Sequence, residues 1–426
     1  VNVAEYVLKA LREQGVTHAF VDLGGLNDAF MGPLTSTDGL RTIVAAFEGG
    51  AAYMADGYAR ASGRLGVCFG IGGPGILNMT TALAAASADR SGILAISGEV
   101  PRSWEGIGGF QDASGAAIDD IDALKTVTTV SLSVSSASLV PHHLRHAITA
   151  ALAERRPAHL SLPVDVQKTE IDATWVPVPS EVVAPKVLDE PAFACLLDLL
   201  ADSARSSNIV LLVGPGVVQT GAEADLVAFA ERFDIPIATT LSGKGAVSED
   251  HPLALGVFGY GGSQWAIDAI LDDDVEVLLV IGSGLSQRDT MQWDPKMLPS
   301  TAFVHVERDP LTLGRTWPSE VAVVGEPATV LKRLRAVDGA VAAALESGAG
   351  IRRAFLTEVQ ARKERLYSED DTRSEAVPMH PARVVTELRA AMPDDGVLCV
   401  DSGAHRAWFA EYWSVRTPGA HMSLTN

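Results

Sequence analysis

The residue best placed to do chemistry is a lone carboxylate among small and apolar neighbours: in VAAFEGGAAYMADGYAR, residues 44–60, Glu48 stands before Gly49, Gly50 and a run of alanines. Ala51, Ala52, Ala55 and Ala59 favour a helix that Glu48 would open, where the helix macrodipole favours negative charge. Phe47, Met54 and Tyr58 recur at spacings of seven and four, and they are expected to form one apolar stripe. The two glycines leave the first turn bare, so a flat group can approach the backbone there. On these residues alone, a solvated glutamate on an ordinary helix is the simpler reading.

A second feature is GGPGILN, residues 72–78, which carries Gly73, Pro74, Gly75 and Asn78. It follows an apolar strand and precedes a helix, so its backbone N–H groups point at whatever occupies the helix N-terminus. It fits neither GxGxxG nor GxxxxGK[ST]. VLLVGPG, with Gly214 and Gly216, and LLVIGSG, with Gly282, are strand-end turns of the same kind; together they mark a crevice at the carboxyl ends of parallel strands. No GxSxG or HExxH occurs, and the ten histidines show no metal-ligand spacing, so classical hydrolase chemistry is not indicated and no metal ligand is named.

These residues need a scaffold, and 426 residues suffice for two or three domains. Apolar residues make up 47% and charged residues 20%, with 39 glycines, a globular composition leaning towards α/β. A net charge of −20 argues against nucleic acid or an anionic membrane as partner. Cys68, Cys195 and Cys399 are far apart and odd in number, which suits a reducing, cytoplasmic setting. No segment approaches the apolar length of a membrane span, so a soluble protein is expected.

Strands and helices alternate from the start: an amphipathic helix over residues 1–16, strands at HAFVDLGG, RTIVAAF, LGVCFGIG, SGILAISGEV and AHLSLPVDV, and helices between them. This is βαβ rhythm, and it implies a parallel sheet. Residues 101–125 read as loop. The fold class is α/β, with successive doubly wound parallel-sheet domains: residues 1–168, a linker at 169–190, residues 191–335, a second linker at 336–378, and an incomplete start of a third domain at 379–426. The shared rhythm of the first two domains suggests an internal repeat. The third piece, a helix, a strand and a helix, is too small to bury a core of its own.

Taken in order, these segments resemble the thiamine-diphosphate-dependent enzymes of the acetolactate synthase, pyruvate oxidase and benzoylformate decarboxylase type. FEGGAAYMADGYARASG is similar to their glutamate helix, GGPGILN to their glycine-proline-glycine turn, FQD at 110–112 to their FQE-like loop, and HLSLPVDVQ to the last strand of their pyrimidine domain. IPIATTLSGKGAVSEDHPLALGVFG and FVHVERDPLTLG resemble their middle domain, and HPARVVTELRAAM through VDSGAHRAWFAEYW the opening of their diphosphate domain.

The resemblance implies a 2-oxo acid decarboxylase or carboligase with thiamine diphosphate and Mg²⁺. Glu48, in an apolar pocket, would share a proton with the pyrimidine N1′ so that the 4′-imine takes the C2 proton; the ylide attacks a small 2-oxo acid or related carbonyl substrate, CO₂ leaves, and the enamine is protonated, oxidised or ligated. Phe47, Gly24, Gly25 and Gln111 would face the reacting end. Gly73, Pro74, Gly75 and Asn78 would bind cofactor, and Ser402, Gly403, Ala404 and His405 its diphosphate. Gly214, Gly216, Gly282, Arg288 and Asp309 would take FAD or an ADP-like ligand in the middle domain. A homo-oligomer is implied, with the active site at the subunit interface.

The chain departs from the family pattern at Phe47, where many relatives have His, at Asp112, where acetolactate synthases have Glu, and at Gly25-Leu26-Asn27, in place of proline-glycine-glycine. It also ends before the GDG and downstream Asn that hold the metal, so these residues alone are expected to form an incomplete cofactor site and to be catalytically silent. The other reading is a non-catalytic or fragmentary α/β protein that keeps the fold to bind a nucleotide or a partner.

Overall fold

In the computed structural model, which describes residues 1–183 and 186–423, the chain divides into two compact units, with the boundary in sequence between residues 185 and 186. The first holds six strands: β1 (His18–Val21), β2 (Arg41–Val44), β3 (Gly66–Ile71), β4 (Ile93–Glu99), β5 (Val130–Ser133) and β6 (Ala158–Pro163). All pair in parallel, in the order β2-β1-β3-β4-β6-β5. β4 and β6 are buried along their whole length, as parallel strands covered by helices on both faces must be.

In the second unit, β7 (Ile209–Val213), β8 (Ile237–Thr239), β9 (Ala254–Val257), β10 (Val277–Ile281), β11 (Ala302–Glu307) and β12 (Val321–Val324) form another parallel sheet, ordered β12-β11-β10-β7-β8-β9. Read from the β9 edge and counted from the first strand, that order is 3-2-1-4-5-6, the dinucleotide-fold arrangement. The first sheet runs 2-1-3-4-6-5 instead. The two sheets share a rhythm but not a strand order, which does not bear out the expected internal repeat. The strand order changes direction between β1 and β3 in the first sheet, which turns back again at its β5 edge, and between β7 and β10 in the second. Parallel α/β sheets leave a crevice at such points.

Several segments differ from expectation. Strands β5, β9 and β12 and the helix Gln264–Ile270 are additional elements, too short to announce themselves by periodicity. Within 101–125, Asp120–Leu124 is helical, with Asp119 as its N-cap. Of the first expected linker, residues 169–183 lie against the first unit: Asn2 bridges to Glu170, Trp175 and Val178 are buried in its core, and the Val178 N–H donates to Gln14. The second expected linker contains Gly339–Arg362, a helix that buries Leu345, Phe355, Leu356 and Val359 in the core of the second unit.

The last segment contributes the helices Pro381–Ala391 and His405–Tyr412 and a parallel pair, β13 (Leu398–Val400) with β14 (His421–Ser423). Its own core is the small cluster around Ala382, Val385, Tyr412 and Trp413, and it belongs to the second compact unit.

Candidate active site

Glu48 opens the helix Glu48–Ser62, preceded by Phe47 in an extended conformation and closed by Gly63 in the left-handed region (φ 66°). The buried face of this helix is Gly49, Ala51, Ala52, Ala55, Asp56 and Ala59. The expected apolar stripe is therefore on the other side: Phe47 and Met54 are exposed and Tyr58 is half-buried. The physical reason is β3, which lies so close that only small side chains fit; a Cβ on Gly66 would stand 2.3 Å from the Ala55 carbonyl oxygen. The Phe47 ring folds back over the bare first turn, where a Cβ on Gly49 would meet it at 2.5 Å and one on Gly50 at 3.2 Å.

The Glu48 carboxyl reaches the turn after β3. Asn78 donates from Nδ2 to Glu48 Oε2 at 3.0 Å, and a Cβ on Gly75 would lie 2.9 Å from Glu48 Oε1 and 2.6 Å from Ile71. Ile71 in turn meets Gly24, whose added Cβ would stand 2.8 Å from it. Gly24, Ile71, Gly75, Asn78 and Glu48 thus form one continuous wall at the switch point of the first sheet. Gly25 faces open space, and Gly73 takes a left-handed φ of 68° beside the Gln111 carbonyl. Glu48 itself is half-buried with a polar partner, not enclosed by apolar groups as expected. Burial first and the Glu48 charge second raise the pKa of Asp22 above the usual carboxylate range, which places Asp22 within electrostatic reach of Glu48.

Three neighbours escaped sequence reasoning. Asn27 is fully buried and donates to the Gly70 carbonyl at 2.6 Å, tying the turn after β1 to β3, while its Oδ1 has no partner. Gln167 donates to the carbonyls of Leu26 and Leu162. Glu99, at the end of β4, accepts from the N–H groups of Val100 and Ala113. Asp112, one of the departures from the family pattern, ties its own loop together by accepting from Gly106 and Ser114. Burial opposes its ionisation, but those hydrogen bonds outweigh it and hold the pKa low.

Behind this wall lies a buried polar relay: Ser131 to His159 Nδ1 at 2.9 Å, His159 Nε2 to Ser97 at 2.8 Å, and Ser97 to Asp120 at 3.4 Å. Burial, with the neighbouring Glu99 second, pushes Asp120 up to about 7, and burial pulls His159 down to about 3. The unfolded chain loses the Asp120 proton near the ordinary value, while the folded chain keeps it to about 7. Stability should therefore fall as pH rises from about 4 to about 7, by a few kcal/mol, and then level off. The variant Asp120→Asn is expected to lack this component, so its thermal midpoint should gain on the wild type steadily over that range; parallel curves would show that Asp120 ionises normally.

In the second unit the turns after β7 and β10 touch: a Cβ on Gly214 would lie 2.3 Å from the Gly282 carbonyl, and Gly216 donates to that carbonyl at 2.9 Å. Gly214, Gly216 and Gly282 are thus brought together at the switch point, and close backbone packing already accounts for them. Asp309 follows β11 and accepts from Leu311 at 3.0 Å. Arg288 lies over the Tyr260 ring, 4.5 Å from its centre, and its carbonyl accepts from the Tyr260 N–H. An open groove of about 770 Å³ in this unit, lined by Glu249, His251, Trp265, Lys363 and Arg365 among others, includes none of the expected site residues.

Ser402, Gly403, Ala404 and His405 are exposed at the end of β13, where the helix His405–Tyr412 begins, and the His405 imidazole packs back on Gly403. That helix is anchored by Lys244, which is fully buried and donates to Glu249 at 2.5 Å and to the Ala410 carbonyl at 3.0 Å. Glu249 accepts from the Val415 N–H, and Arg365 donates to the Glu249 carbonyl and to Ser414. Among the described residues no group of three or more His, Cys, Asp or Glu could hold a metal ion.

Residues 1–120 match the description "Thiamine pyrophosphate enzyme, N-terminal TPP binding domain", and residues 195–334 match "Thiamine pyrophosphate enzyme, central domain". The probable acetolactate synthase large subunit of Methanocaldococcus jannaschii is 32% identical, over 99% of this chain and 70% of its own length. The acetolactate synthase large subunit of Corynebacterium glutamicum is 30% identical, over 97% of this chain and 64% of its own. Glyoxylate carboligase of Escherichia coli O157:H7 is 31% identical, over 93% and 64%. The first of these likenesses spans nearly all of this chain and over two thirds of its relative, and the two domain matches fall in the same order as the two sheets. The chain therefore belongs to the thiamine pyrophosphate enzyme family, as a thiamine-diphosphate-dependent enzyme of the acetolactate synthase type.

Proposed function

We propose that the protein decarboxylates a small 2-oxo acid and transfers the remaining fragment to a second carbonyl compound, with Glu48 as the proton-handling residue. The observation that carries this reading is the Glu48 carboxyl lying against Gly75 at the first sheet's switch point. A flat heteroaromatic base fits there: Gly75 has no side chain to block Oε1, and Gly25 has nothing within 4 Å of where a Cβ would stand. When bound, thiamine diphosphate supplies a ring that accepts the electrons released on loss of CO₂.

The chain's own residues then do the following. Asn78 donates to Glu48 Oε2 and so leaves Oε1, over Gly75, as the oxygen that holds and passes a proton. Gly73, Pro74 and Gly75 let a ring approach the backbone. Gln111, with its backbone beside Gly73, would orient substrate oxygen, and Phe47 walls the rim. Ser402, Gly403, Ala404 and His405, at a helix N-terminus, suit the diphosphate. For Mg²⁺ no group of three or more His, Cys, Asp or Glu stands ready among the described residues.

The same reading divides the chain into a pyrimidine domain at 1–168, a middle domain at 191–335 and the start of a diphosphate domain from 379. It makes the exposed apolar side chains around Glu48, Phe47, Tyr53 and Met54, part of an interface in a homo-oligomer whose active site lies between subunits. Among the described residues no helix is long and apolar enough to cross a membrane; the cytoplasmic setting of this reading rests on three scattered cysteines.

The test is to supply the full-length protein with thiamine diphosphate, Mg²⁺ and a panel of 2-oxo acids and aldehydes, and to measure CO₂ release and the condensation product. Release without condensation would make it a simple decarboxylase; neither, with cofactor bound, would favour a non-catalytic protein that retains the fold.

For the middle domain, an adenine nucleotide, FAD or an ADP-like ligand, is expected in the crevice between Gly214, Gly216 and Gly282, with Arg288 and Asp309 at its margins. The dinucleotide-fold strand order supports this. The thermal midpoint should rise with FAD or ADP at saturating concentration, about 3 kcal/mol at a hundredfold over Kd. Purified protein that is colourless and unshifted by FAD, ADP and coenzyme A would mark the domain as purely structural.

A further inference from the structure

Glu99 and Asp120 are two buried carboxyls, 3% and 1% exposed, with no catalytic part in the reading above; Asp120 accepts from Ser97, two residues before Glu99 on β4, and feels the Glu99 charge. The Glu99 carboxyl and the Asp120 backbone both grip one residue of the segment that carries Gln111, while the Asp120 carboxyl is held by Ser97. Glu99 Oε1 accepts from the Ala113 N–H at 3.2 Å and from the Val100 N–H at 2.7 Å, while the Asp120 N–H donates to the Ala113 carbonyl at 3.0 Å. Ala113 in turn packs on the glycine turn, its Cβ 3.4 Å from where a Cβ on Gly72 would stand and 3.8 Å from one on Gly73. The stretch between Gln111 and Asp119 is bracketed by left-handed residues, φ 62° and 55°, a conformation that a side chain adopts only when its surroundings hold it.

The charged groups facing this pair are acids: Glu105 and Asp112 towards Glu99, Asp119 towards Asp120. His159 reaches Asp120 through Ser97 but is buried and neutral at physiological pH. Arg102, the arginine of the segment, is engaged by Asp165 and the Ser135 carbonyl. Among the described residues no lysine or arginine is hydrogen-bonded to either carboxyl. Two adjacent buried carboxyls without a cation cannot both ionise at ordinary cost. Glu99 Oε2 is also buried without a partner, 3.3 Å from where a Cβ on Gly72 would stand.

We propose that the Glu99–Asp120 pair is a proton-dependent clasp that holds the segment 100–119, and with it Gln111, on the glycine turn 72–75. Glu99 and Asp120 are then positioning residues. While the pair keeps its protons the segment is closed; once both carboxyls ionise, their repulsion works against the contacts to Ala113 and the segment loosens. The contacts of the clasp rest on geometry, its proton dependence on the burial of two carboxyls without a cation, and only its effect on turnover on the proposed role of Gln111.

The test is hydrogen exchange of residues 100–119 in the full-length protein without cofactor, corrected for the intrinsic pH dependence of exchange. In the wild type, protection of this segment should drop at least about tenfold between pH 6 and pH 9 while that of β4 stays constant. Glu99→Gln keeps the acceptor oxygen and cannot ionise, so its segment should stay protected at both pH values, and Asp120→Asn should likewise flatten the profile. Glu99→Ala should exchange fast at both. Protection that is independent of pH in the wild type, or a Glu99→Ala variant as protected as the wild type, would overturn the proposal. Failure of the catalytic reading would appear elsewhere, as an active Glu48→Gln enzyme with the exchange profiles unchanged.

Discussion

Glu48→Gln is expected to lower kcat/KM for decarboxylation of a 2-oxo acid by about 10² to 10⁴-fold, the usual worth of a positioned proton carrier. The substitution is nearly isosteric and keeps an oxygen for the Asn78 amide that now donates at 3.0 Å. The helix start should survive as well, since Phe47 is extended and the Ala51 N–H bonds the Phe47 carbonyl. What is lost is an oxygen over Gly75 able to take and return a proton. Thermal midpoint and circular dichroism should therefore match the wild type while turnover falls. A variant within threefold of wild-type activity would remove Glu48 from the mechanism, leaving it a helix-opening residue with a favourable charge.

The largest expected effect on stability lies in the second unit. Arg352 is fully buried, and its guanidinium donates to three backbone carbonyls: Phe233 at 2.9 Å, Ser207 at 2.7 Å, and Leu345. Phe233 ends the helix Glu223–Phe233, so the cation also meets the negative end of a helix dipole. Burial pushes its pKa down to about 10, with the charge of Asp234 opposing, so it stays charged at neutral pH. Gly348 makes room for it; a Cβ there would lie 2.5 Å from Arg352 Nη1. Arg352→Met fills much of the volume but leaves three buried carbonyls short of a donor, at about 1–3 kcal/mol each before relaxation. A loss of about 3–5 kcal/mol is expected in urea unfolding of this unit. A loss below about 1 kcal/mol would mean that water replaces the guanidinium without penalty.

The strand-turn-helix grammar is local, so β1 to β4, Glu48 at a helix start and the turn 72–78 could be read directly from the chain. The approach of Asn78 to Glu48 needs the strand order as well, since they follow β3 and β2, the two strands that flank β1. Asn27, Ile71 and Glu99 could not be read in this way. Each matters through a partner on another strand, as Asn27 does through the Gly70 carbonyl 43 residues away, and nothing in its own neighbourhood announces that. The buried face of the Glu48 helix was not legible from hydrophobicity, which favours Phe47 and Met54, whereas close approach to β3 selects small residues such as Gly49, Ala51, Ala52 and Ala55. The role of Gly339–Arg362 as core also escaped notice, since an alanine-rich helix next to a charged run reads as connector until its partners are seen. Strand order was similarly hidden: both halves carry the same alternation, and only pairing separates 2-1-3-4-6-5 from 3-2-1-4-5-6.

Turnover has many causes of failure, so the central claim is best tested one step earlier. Deuterium exchange at C2 of thiamine diphosphate bound to the full-length protein with Mg²⁺, followed by acid quench and proton NMR, isolates the proton transfer that Glu48 is held to serve. The wild type should exchange this proton at least about 10²-fold faster than the Glu48→Gln variant at equal cofactor occupancy. Equal rates in the two proteins would contradict the account.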